Sequence, residues 1–159
     1  MRRFIEELVE GLKSSLGPYV DADQQVFIDR ERLKPGYRFT ETLAQAMCES
    51  ACWIMVYVPR YRDHPYCRRE FLAMLELETR RHALLGAALK PDHGMIIPII
   101  LRGDVRDLPS VVRDHRLVDE KFREFTTTEA RMAANPNFND SIERIARSIW
   151  EVLGSSQAR

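Results

Sequence analysis

The chain has 159 residues and a mass of 18.6 kDa, the size of one domain able to bury a sizeable core. Apolar residues make up 45% and charged residues 30%, which excludes disorder through the bulk of the chain. The 24 Lys and Arg balance the 24 Asp and Glu, so no basic excess exists to hold nucleic acid by counterion release, and weak self-repulsion favours self-association.

Phe4, Ile5, Leu8, Val9, Leu12 and Leu16 recur at helical spacing and predict a first helix that Gly17-Pro18 stops. Residues 25–29 (QVFID) read as a short strand, and residues 30–38 (RERLKPGYR) as a charged loop turning at Pro35-Gly36. A helix follows over residues 40–50 on Leu43, Ala46 and Met47, with Thr40 as its N-cap. Residues 52–58 (CWIMVYV) are continuously apolar and predict a strand buried on both faces. After a loop, a long helix runs from Tyr66 or Cys67 to about Leu85.

Residues 95–101 (MIIPIIL) form a second apolar strand, in which Pro98 needs a bulge or a pairing side that does not use its N–H. Residues 102–139 are irregular, with a short strand expected around 115–118. A closing amphipathic helix runs from Asp140 or Ser141 to Leu153, and the single domain ends at Gly154, leaving 155–159 as a tail or the start of a linker. Alternating helices and apolar strands predict an α/β fold, a mostly parallel sheet covered on both faces. No apolar run approaches the ~20 residues of a membrane span, and acidic Glu6-Glu7 breaks any leader-like start. A cytoplasmic location without membrane contact is expected. Three cysteines, Cys48, Cys52 and Cys67, form no C-x-x-C pair, and the four histidines make no metal-ligand spacing. They read as free thiols, the first two as small packing residues, and no metal is expected.

Ligands of open α/β sheets gather at the carboxyl ends of strands, which directs attention to residues 58–74 (VPRYRDHPYCRREFLAM). On a helical wheel Glu70 falls between Leu77 and Met74, at the edge of the apolar stripe, and Glu78 falls deeper in it. A partly desolvated carboxylate suits ion-stabilising or acid/base work, although periodicity alone does not choose between these two glutamates. Cys67 at a helix N-terminus is a weaker candidate nucleophile, with only His64 nearby as a base. No glycine-rich phosphate loop is present.

These motifs, taken together, resemble the Toll/interleukin-1 receptor (TIR) domain family. Phe27-Ile28-Asp29 followed by Leu33-Lys34-Pro35-Gly36-Tyr37-Arg38-Phe39 looks like the family's strand and l-x-P-G-x-x-W loop. Tyr61-Arg62-Asp63-His64-Pro65-Tyr66-Cys67-Arg68-Arg69-Glu70-Phe71 looks like its Tyr-x-x-Ser-x-Trp-Cys-x-x-Glu-Leu pattern. His64 stands for the usual Ser, Tyr66 for Trp, Phe39 for the loop Trp and Phe71 for Leu. The resemblance implies a flavodoxin-like three-layer sandwich whose leading strand has no counterpart before Phe4. It also implies an NAD+-cleaving enzyme of bacterial type, with NAD+ as substrate and no bound cofactor. Glu70 would then be the catalytic glutamate, Tyr66, Phe39 and Asp29 would contact substrate, and Arg30, Arg32, Pro35, Gly36 and Tyr37 would form the assembly loop. Implied partners are other TIR domains, in a homo-oligomer or filament, and a fused or associated sensor; the implied setting is antiviral immune signalling. The alternative is a non-catalytic TIR scaffold. A more distant one is an enzyme like the nucleoside deoxyribosyltransferases, which also place a glutamate in a flavodoxin-like pocket.

Overall fold

The computed structural model describes residues 2–20, 39–61, 63–86, 94–108, 110–113, 121–125 and 131–157; the side chains of residues 39–43, 66, 85, 111, 121, 124 and 154–157 lie outside that description. So do the strand expected at 25–29, the loop at 30–38 and the short strand expected at 115–118. The described elements are α1 (Arg2–Leu16), α2 (Phe39–Glu49), β1 (Trp53–Tyr57), α3 (Pro65–Leu85), β2 (Ile96–Ile100), α4 (Ser110–Arg113) and α5 (Pro136–Gln157). Single 3₁₀ turns lie at Pro59–Tyr61, Val105–Asp107, Lys121–Glu124 and Met132–Ala134.

Among the described residues the sheet has two strands, β1 and β2, paired in parallel with Trp53 opposite Ile96 and Tyr57 opposite Ile100. The Trp53 N–H donates to the Met95 carbonyl at one end, and the Leu101 N–H donates to the Tyr57 carbonyl at the other. In a parallel ladder only every second residue of a strand addresses a given neighbour. The odd residues of β2 therefore face β1, and Pro98 belongs to the even set. Its missing N–H falls on the edge away from β1, so the proline interrupts nothing in this pair. No bulge is needed.

Two apolar layers sandwich the pair. On one face, Phe4, Leu8 and Leu12 of α1 pack with Phe138, Ile142, Ile145 and Ile149 of α5, with Phe122, Phe125 and Met132 from the turns, and with Ile99 and Leu101. Phe4, Phe122, Phe125 and Phe138 meet edge to face, with ring centroids 5.3 Å apart for Phe125–Phe138 and 5.7 Å for Phe4–Phe122. The two helices approach closely at Gly11, where a Cβ would sit 3.3 Å from Ile142 Cγ2. On the other face, Met47 of α2 and Phe71 of α3 pack with Trp53, Met55, Tyr57, Ile96 and Ile100.

The strand at 52–58 is not buried equally on both sides. Trp53, Met55 and Tyr57 are buried, whereas Ile54 and Val56 are half-buried. The α1–α5 layer lies over β2, whose Ile99 it covers completely, and only overlaps β1.

Other boundaries move for local reasons. α2 starts at Phe39, one residue before its expected cap. α5 starts at Pro136, four residues early, because Asn135 Oδ1 accepts the Asn137 N–H at 3.0 Å and a proline opens the first turn well. Its far end stays helical through Gln157, four residues beyond the expected Leu153.

The register of α3 is pinned by two residues. Glu78 is 4% exposed, and its Oε1 accepts the N–H groups of both Met95 and Ile96, where β2 begins. Arg81, one turn on, donates to the carbonyls of Met47, Cys48 and Ser50 at the end of α2. Its guanidinium carbon also lies 5.1 Å from the centroid of the Trp53 ring. A cation here satisfies carbonyls that a helix end leaves without partners. Eight residues of helix rise about 12 Å, close to the roughly 13 Å from Ile96 to Ile100 along a strand. Pinning Glu78 at the start of β2 thus brings Glu70 level with the end of the sheet.

On the opposite layer, Glu7 ties α1 to the turn before α5: Oε2 accepts the Ala133 N–H at 2.9 Å and Oε1 accepts from Arg3 Nε at 2.9 Å. Partial burial pushes its pKa up, but the Ala133 N–H and Arg3 outweigh it and hold it below the ordinary 4.5.

Two predictions follow from these contacts. Glu78→Ala leaves two buried N–H groups without an acceptor and costs about 2–3 kcal/mol in urea unfolding, whereas Glu78→Gln, which keeps a carbonyl oxygen, loses less. The Glu7 carboxylate is favoured in the folded state, so its stabilisation is present above its ordinary value and lost as pH falls through the lower folded one. The difference in Tm between the parent and Glu7→Gln is therefore largest near neutrality and shrinks as pH falls below the ordinary value and through the lower folded one.

Candidate functional site

The connection leaving β1 builds the site. Tyr57, the last strand residue, is fully buried, and its hydroxyl donates to the Asp107 carbonyl at 3.0 Å. The chain then makes the Pro59–Tyr61 turn, closed by the Tyr61 N–H on the Val58 carbonyl at 2.8 Å. His64 is extended at φ −100° and ψ 110°, and Pro65 opens α3 at the position where its missing N–H costs nothing. Phe71, 1% exposed, plugs the second turn of α3 into the core beneath the strands. Glu70 precedes it and is half-buried.

Around Glu70 the structure gathers Tyr61 and Cys67. The Tyr61 hydroxyl donates to the Cys67 carbonyl at 3.1 Å, and its ring lies 6.0 Å from that of Tyr57. Burial first, then the negative charges of Cys67 and Glu70, push the Tyr61 phenol well above its ordinary value. Burial and the Glu70 charge likewise push the Cys67 thiol up. Both groups hold their protons beside a carboxylate. This overturns the reading of Cys67 as a nucleophile, which needs a lowered thiol pKa. Of the other cysteines, Cys48 is exposed rather than packed. Cys52 packs against the α1–α5 layer, and burial pushes its thiol up to about 12, with Arg81 only partly offsetting that.

The loop after β2 closes the same end of the sheet. Gly103 adopts φ +97°, and a Cβ there would meet Tyr57 Cε1 at 3.3 Å and Pro59 Cγ at 3.4 Å. Glycine is required by both the dihedral and the space. The next turn is held reciprocally: Asp107 Oδ2 accepts the Asp104 N–H at 2.9 Å, and Asp104 Oδ1 accepts the Arg106 N–H at 2.9 Å. The Arg106 side chain completes an ion pair that holds the Asp104 carboxyl down at about 2. The ends of β1 and β2 thus carry two stiffened loops, one of which delivers Glu70.

Of the residues expected at a site, Glu70 stands at the carboxyl end of the strands, and Glu78, its rival on the wheel, serves the backbone at the opposite end. Tyr66 lies in the first turn of α3, on the turn before Glu70, and Phe39 opens α2. Asp29, Arg30, Arg32, Pro35, Gly36 and Tyr37 fall outside the described residues. Tyr61 opens the family pattern without a role assigned to it, and Gly103 was not expected. Tyr61 belongs to the aromatic and basic run after β1, but its partner is a main-chain carbonyl, to which sequence patterns are blind. No three His, Cys, Asp or Glu side chains among the described residues group as a metal site would require.

What can such a place do? A half-buried carboxylate beside a phenol and a thiol that keep their protons can stabilise a cationic centre brought against it. No described helix is long and apolar enough to cross a membrane. No curated protein and no solved structure matches the chain. The sequence profile of the TIR domain, however, matches residues 2–134, from the first residues of α1 to the turn before α5 and across Glu70. With helices on both faces of a parallel strand pair, this agrees with a flavodoxin-like α/β fold. The chain belongs to the TIR domain family.

Proposed function

We propose that this TIR domain cleaves NAD+ at the nicotinamide–ribose bond, with Glu70 as its catalytic carboxylate. The observation that carries the reading is the placement of Glu70: half-buried, at the carboxyl end of the strands, beside a phenol and a thiol that keep their protons. TIR domains include NAD-cleaving enzymes, and the bond they break makes chemical sense of a single carboxylate. The C1′–N bond breaks with its electron pair passing to nicotinamide, which leaves as a neutral base and needs no general acid. Positive charge develops on the ribose as in glycoside cleavage. Glu70 stabilises that charge and orients the ribose hydroxyls. Water then attacks C1′ and releases one proton, giving ADP-ribose; attack by a nucleophilic atom of the adenine gives a cyclic isomer instead.

In this reading Tyr66 packs on a ring of the substrate, and Phe39 and Asp29 border it. Arg30, Arg32, Pro35, Gly36 and Tyr37 form the loop through which copies associate. TIR domains generally associate with one another, and the balanced charge of this chain, 24 against 24, opposes self-association only weakly. Assembly then switches the activity on, in immune signalling and under a fused or associated sensor. The non-catalytic scaffold reading has no use for a desolvated carboxylate at the sheet end.

The test is nicotinamide release from NAD+ at high protein concentration. Glu70→Gln is expected to lower turnover by at least about 100-fold, with an unchanged far-ultraviolet circular dichroism spectrum. Full activity in the folded variant ends the assignment, and silence in the parent favours the scaffold. For assembly, Gly36→Pro is expected to lower the sedimentation coefficient at high concentration with little change in Tm. An unchanged sedimentation profile contradicts the role given to that loop.

A further inference from the structure

We propose that Tyr61 is a positioning residue for Glu70: its hydroxyl fixes the turn of α3 that presents the carboxylate to the end of the sheet. The inference rests on the NAD+-cleaving reading for its consequence, though not for its geometry.

The Tyr61 hydroxyl donates at 3.1 Å to the carbonyl of Cys67. That carbonyl lies in the first turns of α3, where the helix uses one lone pair for its own i to i+4 bond and leaves the other to accept. Cys67 is three residues before Glu70, so the two share a face of the helix. The bond therefore attaches the turn carrying Glu70 to the connection that leaves β1. Two more contacts make the attachment stiff. The Tyr61 ring packs 6.0 Å from that of Tyr57, and Tyr57 is itself bonded to the Asp107 carbonyl at 3.0 Å. The backbone of the turn is tied at both ends, from the Tyr61 N–H to Val58 and from the His64 N–H to the Tyr61 carbonyl at 3.3 Å. The loop after β2 comes close to Tyr57 at Gly103, where a Cβ would lie 3.3 Å from Tyr57 Cε1 and 3.4 Å from Pro59 Cγ. A continuous path of packed and bonded groups thus runs from that loop through Tyr57 and Tyr61 to the Glu70 turn.

The far end of α3 is held by Glu78 and Arg81, two turns or more from Glu70. Without the Tyr61 hydroxyl, the first two turns keep the packing of Phe71 but lose this directed bond to the connection that leaves β1. Packing holds a helix at a distance but is permissive about rotation and small slides. A directed bond is not, and catalytic groups lose rate steeply when displaced by about 1 Å.

Tyr61→Phe keeps the ring and deletes the bond. The first readout needs no catalysis: the rate at which iodoacetamide alkylates each cysteine, resolved by mass spectrometry. Cys67 is expected to react about fivefold faster in Tyr61→Phe, the size expected from losing one hydrogen bond, with Cys52 unchanged as the internal control for global opening. The second readout is nicotinamide release, where kcat is expected to fall about tenfold while KM stays within about twofold, because substrate contacts remain and orientation is lost. An unchanged Cys67 rate in the folded variant overturns the proposal, and so does a faster Cys67 with kcat unaltered. A rise in KM alone also overturns it, since it makes Tyr61 a substrate contact. Absence of NAD+ cleavage in the parent fails the catalytic reading of the previous subsection, and the Cys67 rate still decides whether Tyr61 holds the turn.

Discussion

The buried carboxylate of Glu78 sets the register on which the rest of the molecule depends. By accepting the N–H groups of Met95 and Ile96, it fixes how far α3 reaches along the sheet. An apolar residue at the same place would pack α3 against the strands equally well and leave its axial position open. Arg81 adds the third body, since its bonds to the last carbonyls of α2 make one clamp of two helices and the starts of both strands. Burying Glu78 and half-burying Arg81 is tolerable because each is met by backbone dipoles.

This clamp lies at the start of the strands, and the proposed site lies at their carboxyl end. At the start of the strands, Glu78 and Arg81 spend their hydrogen bonds on the backbone. At the carboxyl end, Glu70 is half-buried, and its neighbours Tyr61 and Cys67 are driven toward their protonated forms. The tyrosines of that end serve position: Tyr57 locks the β2 loop to β1, and Tyr61 links β1 to the helix. Some TIR domains cleave NAD+, and the proposed site sits where ligands of open α/β sheets gather. The α1–α5 layer, with its aromatic cluster and the Glu7 tie, supports the opposite face and takes no part in the site.

Much of this was legible in the sequence. Unbroken apolar runs marked both strands, and the period of α1, α3 and α5 marked their buried faces. The wheel placed Glu78 deeper than Glu70, which is what the structure has. What it could not supply is the partner of each carboxylate, because both backbone N–H groups that Glu78 binds come from a strand more than fifteen residues away. The bond Tyr61 makes stayed hidden for the same reason, since its partner is a carbonyl, and every residue has one. The uneven burial of β1 depends on where the α1–α5 layer comes to rest, a tertiary matter. The start of α5 was legible in Asn135-Pro136 and was obscured by the apolar pattern that begins later. Choosing Glu70 over Glu78 came from the family resemblance; the structure adds the physical reason that Glu78 is already engaged.

The most direct test of the proposed site is to see where NAD+ touches the molecule. Isotopically labelled Glu70→Gln protein, in which turnover is suppressed, would be titrated with NAD+ and followed by amide chemical shifts. The account predicts perturbations centred on Tyr61, Cys67, Phe71 and Gly103, with Ser50, Arg81 and Met95 unmoved. Shifts centred on the Arg81 and Met95 end, or none at saturating NAD+, would contradict it.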